Sequence, residues 1–302
     1  GWVMRILELT ESWPPGKLRA IALKCAGELT VYFGDISQGL AYLAASLQMA
    51  RDLQDKSLIN LVLHDLQVVN NHLGNWDLWH DYAEEHLKIS RELGDKAEIS
   101  CALLNLGDAA IRNGDNQAGR KCYEQSLEIA RQENHLNTIA FNLYSLATLA
   151  QKEGDTSRAK ELYRECAQIR RDWGFRTGLA LTLLRLAQVL IQEGNAIQSK
   201  KLAEESLEIC RELNITDMMV YCLNVFAGAA GIDRQDERAA RLFGAAQAAT
   251  EKLEVETEYF YHMTYDPIIA DIREQLGEAD FNKAWAEGRN MTLEQAVELA
   301  LN

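Results

Sequence analysis

Proline and long hydrophobic runs are both scarce in this sequence. Of its 302 residues only 3 are proline. Its apolar stretches are a few residues long, whereas a membrane-spanning helix needs roughly 20 apolar residues. The composition therefore excludes a membrane span and a disordered chain rich in linkers.

Basic charge is also in deficit, with 31 Lys and Arg against 45 Asp and Glu and a net charge of −14. More than half of this excess lies in residues 251–302, which hold 12 acidic and 4 basic side chains. Because binding to a phosphate backbone requires a concentrated patch of Lys and Arg, the composition argues against direct nucleic-acid binding. The one locally basic window, residues 151–200, is typical of a solvated helix face, with a docking patch as the alternative.

Sequence motifs for catalysis and metal binding are missing. There is no G-x-x-x-x-G-K-[ST] loop, no H-E-x-x-H and no G-x-S-x-G. The six cysteines are scattered without a C-x-x-C pair, and no two histidines are spaced i, i+4. We therefore expect no catalytic residues, no cofactor and no metal, and cysteines that are buried free thiols in a reducing cytoplasm. Nothing at the N-terminus is typical of a signal peptide, which also favours the cytoplasm.

What the sequence does contain is a repeat of 40 residues. Its marker is a Gly-Asp or Gly-Asn pair, found at Gly34-Asp35, Gly74-Asn75, Gly114-Asp115, Gly154-Asp155 and Gly194-Asn195. A leucine stands eleven residues before each pair, and apolar or small residues follow spacings of three, four and seven on both sides. This pattern predicts two amphipathic helices joined by a tight turn, in which glycine ends the first helix and Asp or Asn caps the second. Such a pair is too thin to bury its own apolar face, so successive pairs must stack into an α-solenoid.

The repeat resembles the tetratricopeptide repeat. In the third repeat the matching residues are Leu103, Leu106, Gly107, Gly114-Asp115, Gly119, Tyr123 and Ser126. The repeats differ from the family's usual length of about 34 residues, and Arg51, Arg91, Arg131 and Arg171 replace its final proline. The resemblance implies an all-α, right-handed superhelix of about six helix pairs with a helical C-terminal cap.

A second resemblance concerns the C-terminal part. The strings 237–246, 276–281, 284–289 and 293–297 are similar to the end of the helical-repeat region in large bacterial signalling ATPases of the LuxR-type and MalT-like regulators. The resemblance implies a non-catalytic sensor or interaction region of a larger bacterial transcriptional regulator. A scaffold of a cyclase or kinase signalling protein and a peptide-pheromone receptor remain alternatives, although the predicted groove lacks the abundant Asn expected for the receptor.

The repeat register also predicts the domain boundaries. Residues 17–254 form six repeats, and residues 255–302 form the helical cap. Residues 1–13 align with the second helix of a truncated preceding repeat, from which we expect further repeats before residue 1. The aromatic segment 259–265 is expected to cover the exposed face of repeat six. The alternative is a contact surface for a C-terminal module, in which the acidity of the cap holds a basic DNA-binding domain.

In a tetratricopeptide array the first helix of each repeat lines the concave groove, so the resemblance also identifies candidate groove residues. These are His64, Val68, Asn71, His72, Leu104, Asp108, Arg112, Tyr144, Thr148, Lys152 and Gln188. A mixed polar and apolar lining suits a protein or peptide partner. A small effector, other domains of the parent protein and self-association stay open.

Repeat two departs most from the pattern. Bulky Gln67, Asn70, Trp79 and His86 replace small residues there, and His64, His72, His80 and His86 are four of the six histidines. The alternatives are local repacking, a ligand or partner site and a metal site, the last disfavoured by the histidine spacing. If repeat two is a site, Trp76 and Trp79 belong to it together with Asn71 and His72.

Overall fold

The computed structural model describes residues 14–254 and 259–302, which form fifteen α-helices and no strand. In chain order the helices are α1 (Lys17–Tyr32), α2 (Ile36–Asp52), α3 (Lys56–Leu73), α4 (Trp76–Leu93), α5 (Lys96–Arg112), α6 (Asn116–Gln132), α7 (Leu136–Lys152), α8 (Thr156–Trp173), α9 (Arg176–Gln192), α10 (Ala196–Leu213), α11 (Thr216–Ile232), α12 (Asp236–Lys252), α13 (Tyr259–Leu276), α14 (Glu278–Arg289) and α15 (Leu293–Leu301). Not one of the described helices is long and apolar enough to cross a membrane. The all-α prediction is confirmed. The helix predicted for residues 1–13 lies outside the described residues.

Residues with positive φ follow the first twelve helices, one after each, at intervals of 20 residues. They are Gly34, Gln54, Gly74, Gly94, Gly114, Asn134, Gly154, Gly174, Gly194, Asn214, Arg234 and Glu254. The next helix is capped by a side-chain oxygen, which accepts the backbone N–H three residues on, at Asp35, Asp55, Asp95, Asp115, Asp155 and Asn195. The predicted roles of Gly and of Asp or Asn are confirmed except at Asn75, whose side chain does not cap α4. Because the same turn also separates one repeat from the next, each 40-residue repeat consists of two halves of equal length.

Glycines allow the two helices of a repeat to approach closely. A Cβ on Gly107 would lie 2.5 Å from the Tyr123 ring, and one on Gly119 would lie 2.5 Å from the Ile111 side chain. Real side-chain atoms do not approach so closely, so the Tyr123 ring can lie against α5 only because position 107 carries no side chain. The close approach predicted from the small residues is confirmed in this repeat.

The chain divides into two compact units, residues 1–142 (unit 1) and 143–302 (unit 2), with the boundary inside α7. In unit 1, α1 packs on α2, α3 on α4 and α5 on α6, while contacts of α2 with α3 and of α4 with α5 join the pairs. In unit 2, the corresponding contacts are α8 with α9, α9 with α10, α10 with α11 and α11 with α12. Consecutive helix pairs therefore stack in chain order within each unit, as an α-solenoid requires. The handedness of the superhelix stays a prediction.

Two of the arginines that replace the family's proline form ion pairs between successive second helices. Arg51 on α2 contacts Glu85 on α4 at 2.6 Å, and Arg171 on α8 contacts Glu205 on α10 at 2.7 Å. Both pairs join residues 34 positions apart. The second helix runs past the position at which proline would end it, so that its last turn can reach the neighbouring repeat.

Helix α14 of the C-terminal cap packs against α12 with almost no space between their backbones. A Cβ on Gly244 would collide with the carbonyl group of Trp285, and one on Gly288 would collide with that of Arg241. An ion pair of 2.7 Å between Arg241 and Glu287 lies beside this contact. Part of the acidity of the cap is therefore paired within unit 2.

Helix α13 packs on the first helices of two repeats. It contacts α9 and α11 as well as α12. A Cβ on Gly228 would lie 3.0 Å from the Tyr265 ring and 3.3 Å from Ile191, so this ring lies against α11 beside α9. On α9, Gln192 donates a hydrogen bond of 2.9 Å to Thr264. Helix α13 therefore covers the first helix of repeat five as well as that of repeat six, for which the cover was predicted.

The cysteines are free, but the prediction that all are buried is wrong. Cys166, Cys210 and Cys222 are buried, Cys101 and Cys122 are partly buried, and Cys25 is exposed. Cys25 lies on α1, whose main contacts are with α2 and α3.

Candidate functional site

The first helices of unit 1 are neighbours and carry most of the predicted groove residues. Lys24 on α1 contacts Asp65 on α3 at 2.9 Å, and Asn105 on α5 donates a hydrogen bond of 2.6 Å to Gln67 on α3. Of the predicted residues, Val68, Asn71, His72 and Arg112 are exposed, and His64, Leu104 and Asp108 are partly buried. We call these seven residues, together with exposed Leu61, the first-helix face of unit 1.

A cleft of about 350 Å³ lies beside this face, between the start of α4 and the end of α5. Its lining residues are Trp76, Asp77, Trp79, His80, Asp81, Ala109, Arg112 and Asn113. The Arg112 guanidinium lies 3.4 Å from the centre of the Trp76 ring, a distance typical of a cation–π stack. Trp79 packs edge to face against Trp76, with ring centres 6.0 Å apart, and is only 2% exposed. The structure therefore joins the predicted repeat-two site to Arg112, with Trp76 open to solvent and Trp79 buried beneath it.

Asp108 is the perturbed carboxylate of the first-helix face. It accepts a 2.5 Å hydrogen bond from the Tyr123 hydroxyl, and it is also attracted by the positive charge of Arg112. Burial raises the pKa of Asp108 to about 6, although the hydrogen bond and Arg112 act in the opposite direction. A carboxylate in this state is close to half protonated near pH 6, so the charge of the face varies with pH.

Two bulky residues of repeat two are accommodated by hydrogen bonds in the core. Gln67 is fully buried and donates to the Leu63 carbonyl at 3.2 Å. Asn70 is 2% exposed, donates to the Leu66 carbonyl at 2.8 Å and accepts from Asn75 at 3.2 Å. These contacts satisfy polar groups that burial would otherwise destabilise. For Gln67 and Asn70, local repacking accounts for the departure from the repeat pattern.

The other unusual residues of repeat two gather around His86. This side chain is fully buried, and its Nε2 lies 3.0 Å from Oε2 of Glu98 on α5. His64 on α3 stands edge to face with it, with ring centres 5.9 Å apart. The hydrogen bond with His86 lowers the pKa of Glu98, and burial lowers the pKa of His64. His64, His86 and Glu98 therefore form one cluster, whereas His72 is exposed on the first-helix face.

The predicted groove residues of unit 2 belong mainly to an internal network. Tyr144 accepts a 3.2 Å hydrogen bond from Arg185 and packs edge to face on Tyr163 at 5.7 Å. Thr148 lies 3.0 Å from the Tyr163 hydroxyl, while Lys152 is exposed. Tyr144 and Thr148 thus support the packing of α7, α8 and α9.

Gln188 lies under α13, which corrects its assignment to an open groove. It is 6% exposed and accepts a 3.0 Å hydrogen bond from Arg185. The Arg185 guanidinium in turn lies 5.1 Å from the centre of the Phe260 ring on α13. Helix α13, which follows the last repeat, therefore covers the surface of Gln188 that was predicted to face the groove.

Sequence reasoning missed Glu98, Arg185 and the position of α13. Glu98 lies in the first turn of α5, where an acidic residue is common, so nothing singles it out. For α13, however, a signal was present, because residues 218–232 of α11 contain no charged side chain. A helix that is apolar on all sides is normally buried on all sides, which predicts a covering element.

Comparisons with known proteins agree with this architecture. Residues 98–172 match the family model of the tetratricopeptide repeat. Over 89 residues the chain is 30% identical to proteins of Mycobacterium bovis and Mycobacterium tuberculosis described as HTH-type transcriptional regulators. That match covers 30% of this chain and 10% of each relative, so it spans about a tenth of their length.

Several solved structures have the same fold, and each can be aligned with nearly the whole chain. The quorum sensor NprR from B. thuringiensis has a TM-score of 0.63 at 14% identity, covering 99% of this chain and 81% of its own. A Rap protein complexed with competence and sporulation factor has a TM-score of 0.63 at 14% identity, with 97% and 80% covered. A signal transduction ATPase with numerous domains from Pyrococcus horikoshii, which has a tetratricopeptide repeat sensor, has a TM-score of 0.60 at 14% identity, with 95% and 46% covered. Together with the paired helices, these matches show that the chain contains a tetratricopeptide-repeat region in an all-α solenoid fold.

Proposed function

We propose that this chain is a non-catalytic sensor region of a larger, cytoplasmic bacterial transcriptional regulator, and that the first-helix face of unit 1 binds a peptide or a helix of a partner protein. The observation that carries the proposal is the contrast between exposed and covered first helices. In unit 1, Leu61 and Val68 are 48% and 46% exposed. In unit 2, α13 covers α9 and α11.

The spacing of the exposed apolar residues suits a helical partner. Leu61 and Val68 are seven residues apart on α3, which is two turns or about 10 Å. Apolar residues at positions i, i+3 or i+4 and i+7 of an amphipathic peptide would meet such anchors. Asn71, His72 and Arg112 supply polar groups around them that can fix the register of the peptide. The fold shared with a Rap protein that forms a complex with competence and sporulation factor supports a peptide as the ligand class.

A phage-displayed library of random peptides tests this face directly. We expect the purified chain to select amphipathic peptides, and expect Leu61→Glu and Val68→Glu to weaken the binding of a synthesised selected peptide at least tenfold. Leu78→Glu on α4 is the matched control, because Leu78 is 48% exposed but lies on a second helix. Selected peptides that bind all three variants with unchanged affinity would show that the face is not the binding surface.

The assignment to a regulator rests on the C-terminal strings and on the local match to HTH-type regulators. We expect the complete gene to encode a nucleotide-binding module and a DNA-binding helix-turn-helix in addition to this region. A gene that joins these repeats to a cyclase or kinase domain would contradict the assignment and favour the signalling-scaffold alternative. Sequencing the gene in both directions from this region distinguishes the two.

A further inference from the structure

Three side chains from three successive helices converge inside unit 1. His64 lies on α3, His86 on α4 and Glu98 on α5. One nitrogen of each imidazole and one carboxylate oxygen all lie within 4.8 Å of one another. Within this group, His86 Nε2 and Glu98 Oε2 are 3.0 Å apart. The separation of these residues along the chain hides the group from any search for short spacing motifs.

The two imidazoles have nitrogen atoms that the surrounding protein does not use. Nδ1 of His64 and Nδ1 of His86 are both buried, and neither has a hydrogen-bond partner in the described part of the chain. The His86 side chain is fully buried. A buried nitrogen without a partner is unfavourable, and ordinary packing of two aromatic rings would not require it. A metal ion that accepts the Nδ1 lone pair of His64 would remove this penalty at His64. His86 faces Glu98 through Nε2, so an ion shared with Glu98 would bind that nitrogen and leave Nδ1 of His86 unchanged.

The charge around the cluster favours a cation. Glu28, Asp65 and Glu98 supply three carboxylates, and Lys24 is the cation that pairs with the first two. Glu98 hydrogen-bonds with His86, whereas the ion pairs of Lys24 are with Glu28 and Asp65. Bound cations are stabilised by such an excess of negative charge.

We propose that His64, His86 and Glu98 bind one divalent transition-metal ion of the zinc type. Two imidazoles and one carboxylate form a ligand set that zinc uses in sites with an open position, at metal–ligand distances of about 2.0–2.2 Å. These distances place two tetrahedral ligands about 3.3 Å apart, close to the 3.0 Å between His86 and Glu98. The three ligand atoms must come closer together to bind one ion. Rotation of the His64 and Glu98 side chains, which are only partly buried, can bring them closer.

The ligand chemistry separates this ion from magnesium and calcium, which prefer oxygen ligands. Three protein ligands leave a coordination position for water on the partly exposed side of the cluster. The ion would join both helices of repeat two to the first helix of repeat three. It would thereby fix the packing of α3, α4 and α5 beside the first-helix face.

Metal titration of the full chain tests the proposal. After removal of metal with a chelator, we expect one Zn²⁺ per chain by calorimetry, a visible Co²⁺ spectrum of low coordination number and no competition by Mg²⁺. His64→Gln and Glu98→Gln should each weaken Zn²⁺ binding at least tenfold. His72→Gln is the matched control, because it removes an exposed histidine of the same helix as His64. Circular dichroism of each metal-free variant confirms that the helices are retained.

Several results would overturn the assignment. Equal Zn²⁺ affinity in His64→Gln, Glu98→Gln and the His72→Gln control would show that the ion binds elsewhere. Wild-type protein that takes up no Zn²⁺ would show that the cluster is a hydrogen-bonded packing contact only. Cys101 follows Glu98 by three residues on α5, so a Cys101→Ser variant checks the ligand set. Loss of the Co²⁺ spectrum in that variant would replace the proposed His and Glu set with one that includes a thiolate.

Discussion

The stability of unit 1 should depend on the ionisation of Asp108. Burial raises its pKa from 3.8 to about 6, a difference of about 2 units. One unit corresponds to about 1.4 kcal/mol, so the ionised carboxylate should lower the free energy of unfolding by up to about 3 kcal/mol. Because the pKa is raised on folding, the folded state binds more protons between pH 4 and pH 6. Stability should therefore fall as the pH rises through that window and level off above it.

The substitution Asp108→Asn isolates this effect. Asn keeps the size of the side chain and an oxygen that can accept the hydrogen bond from Tyr123, but it does not ionise. The free energy of unfolding of the variant minus that of wild type should be about 2–3 kcal/mol larger at pH 7.5 than at pH 4.2, by the same conversion. Urea unfolding followed by circular dichroism gives both differences, and the two pH values avoid the isoelectric point near 5.0.

The control for this prediction is Glu128→Gln, which removes an exposed carboxylate from α6 of the same helix pair. All other groups titrate in both wild type and variant. Their effect therefore cancels when the unfolding free energies of the two proteins are subtracted. An effect of Asp108→Asn that is the same at both pH values would refute the reasoning. It would mean that the Tyr123 hydroxyl and Arg112 fully compensate for the burial of the carboxylate.

Three further predictions concern the packing of unit 2. Gly288→Ala should destabilise the α12–α14 contact by about 1–3 kcal/mol, because the added methyl group collides with the Arg241 carbonyl; thermal unfolding measures the loss. Glu205→Gln should cost less than about 1 kcal/mol, and the difference should vanish in 1 M NaCl, because the ion pair with Arg171 is exposed on both sides. Tyr265→Ala removes a fully buried ring and should cost about 3 kcal/mol or more. It should also raise hydrogen exchange in α9 and α11; exchange unchanged in both helices would show that α13 does not protect them.

The regular part of the fold could be predicted because its determinants are local. A glycine at Gly114 and the cap at Asp115 act within one turn of the backbone, and both recur every 40 residues. The close approach at Gly107 is also visible, because the small residue recurs in the same register. Local signals of this kind require no knowledge of how distant segments meet.

The site could be predicted only in part, because its contacts join different repeats. The register placed Arg112 and Trp76 on the correct helices, but their stacking depends on how α4 packs on α5. The proposed ligands His64 and His86 are 22 positions apart, and Glu98 follows 12 positions later. The expectation of no metal depended on short spacings, which detect ligands on one helix and not ligands on three.

The charge pattern of the first helices explains where the chain is open to a partner. Residues 218–232 of α11 contain no charged side chain, and α13 buries this helix. In contrast, α3 and α5 carry His72 and Arg112, whose side chains are exposed. Covering those groups with the chain's own apolar residues would remove their hydration without a matching charge, which is unfavourable. A partner with complementary polar groups around an apolar helix avoids that penalty, so the same residues that keep the face open also determine what can bind to it.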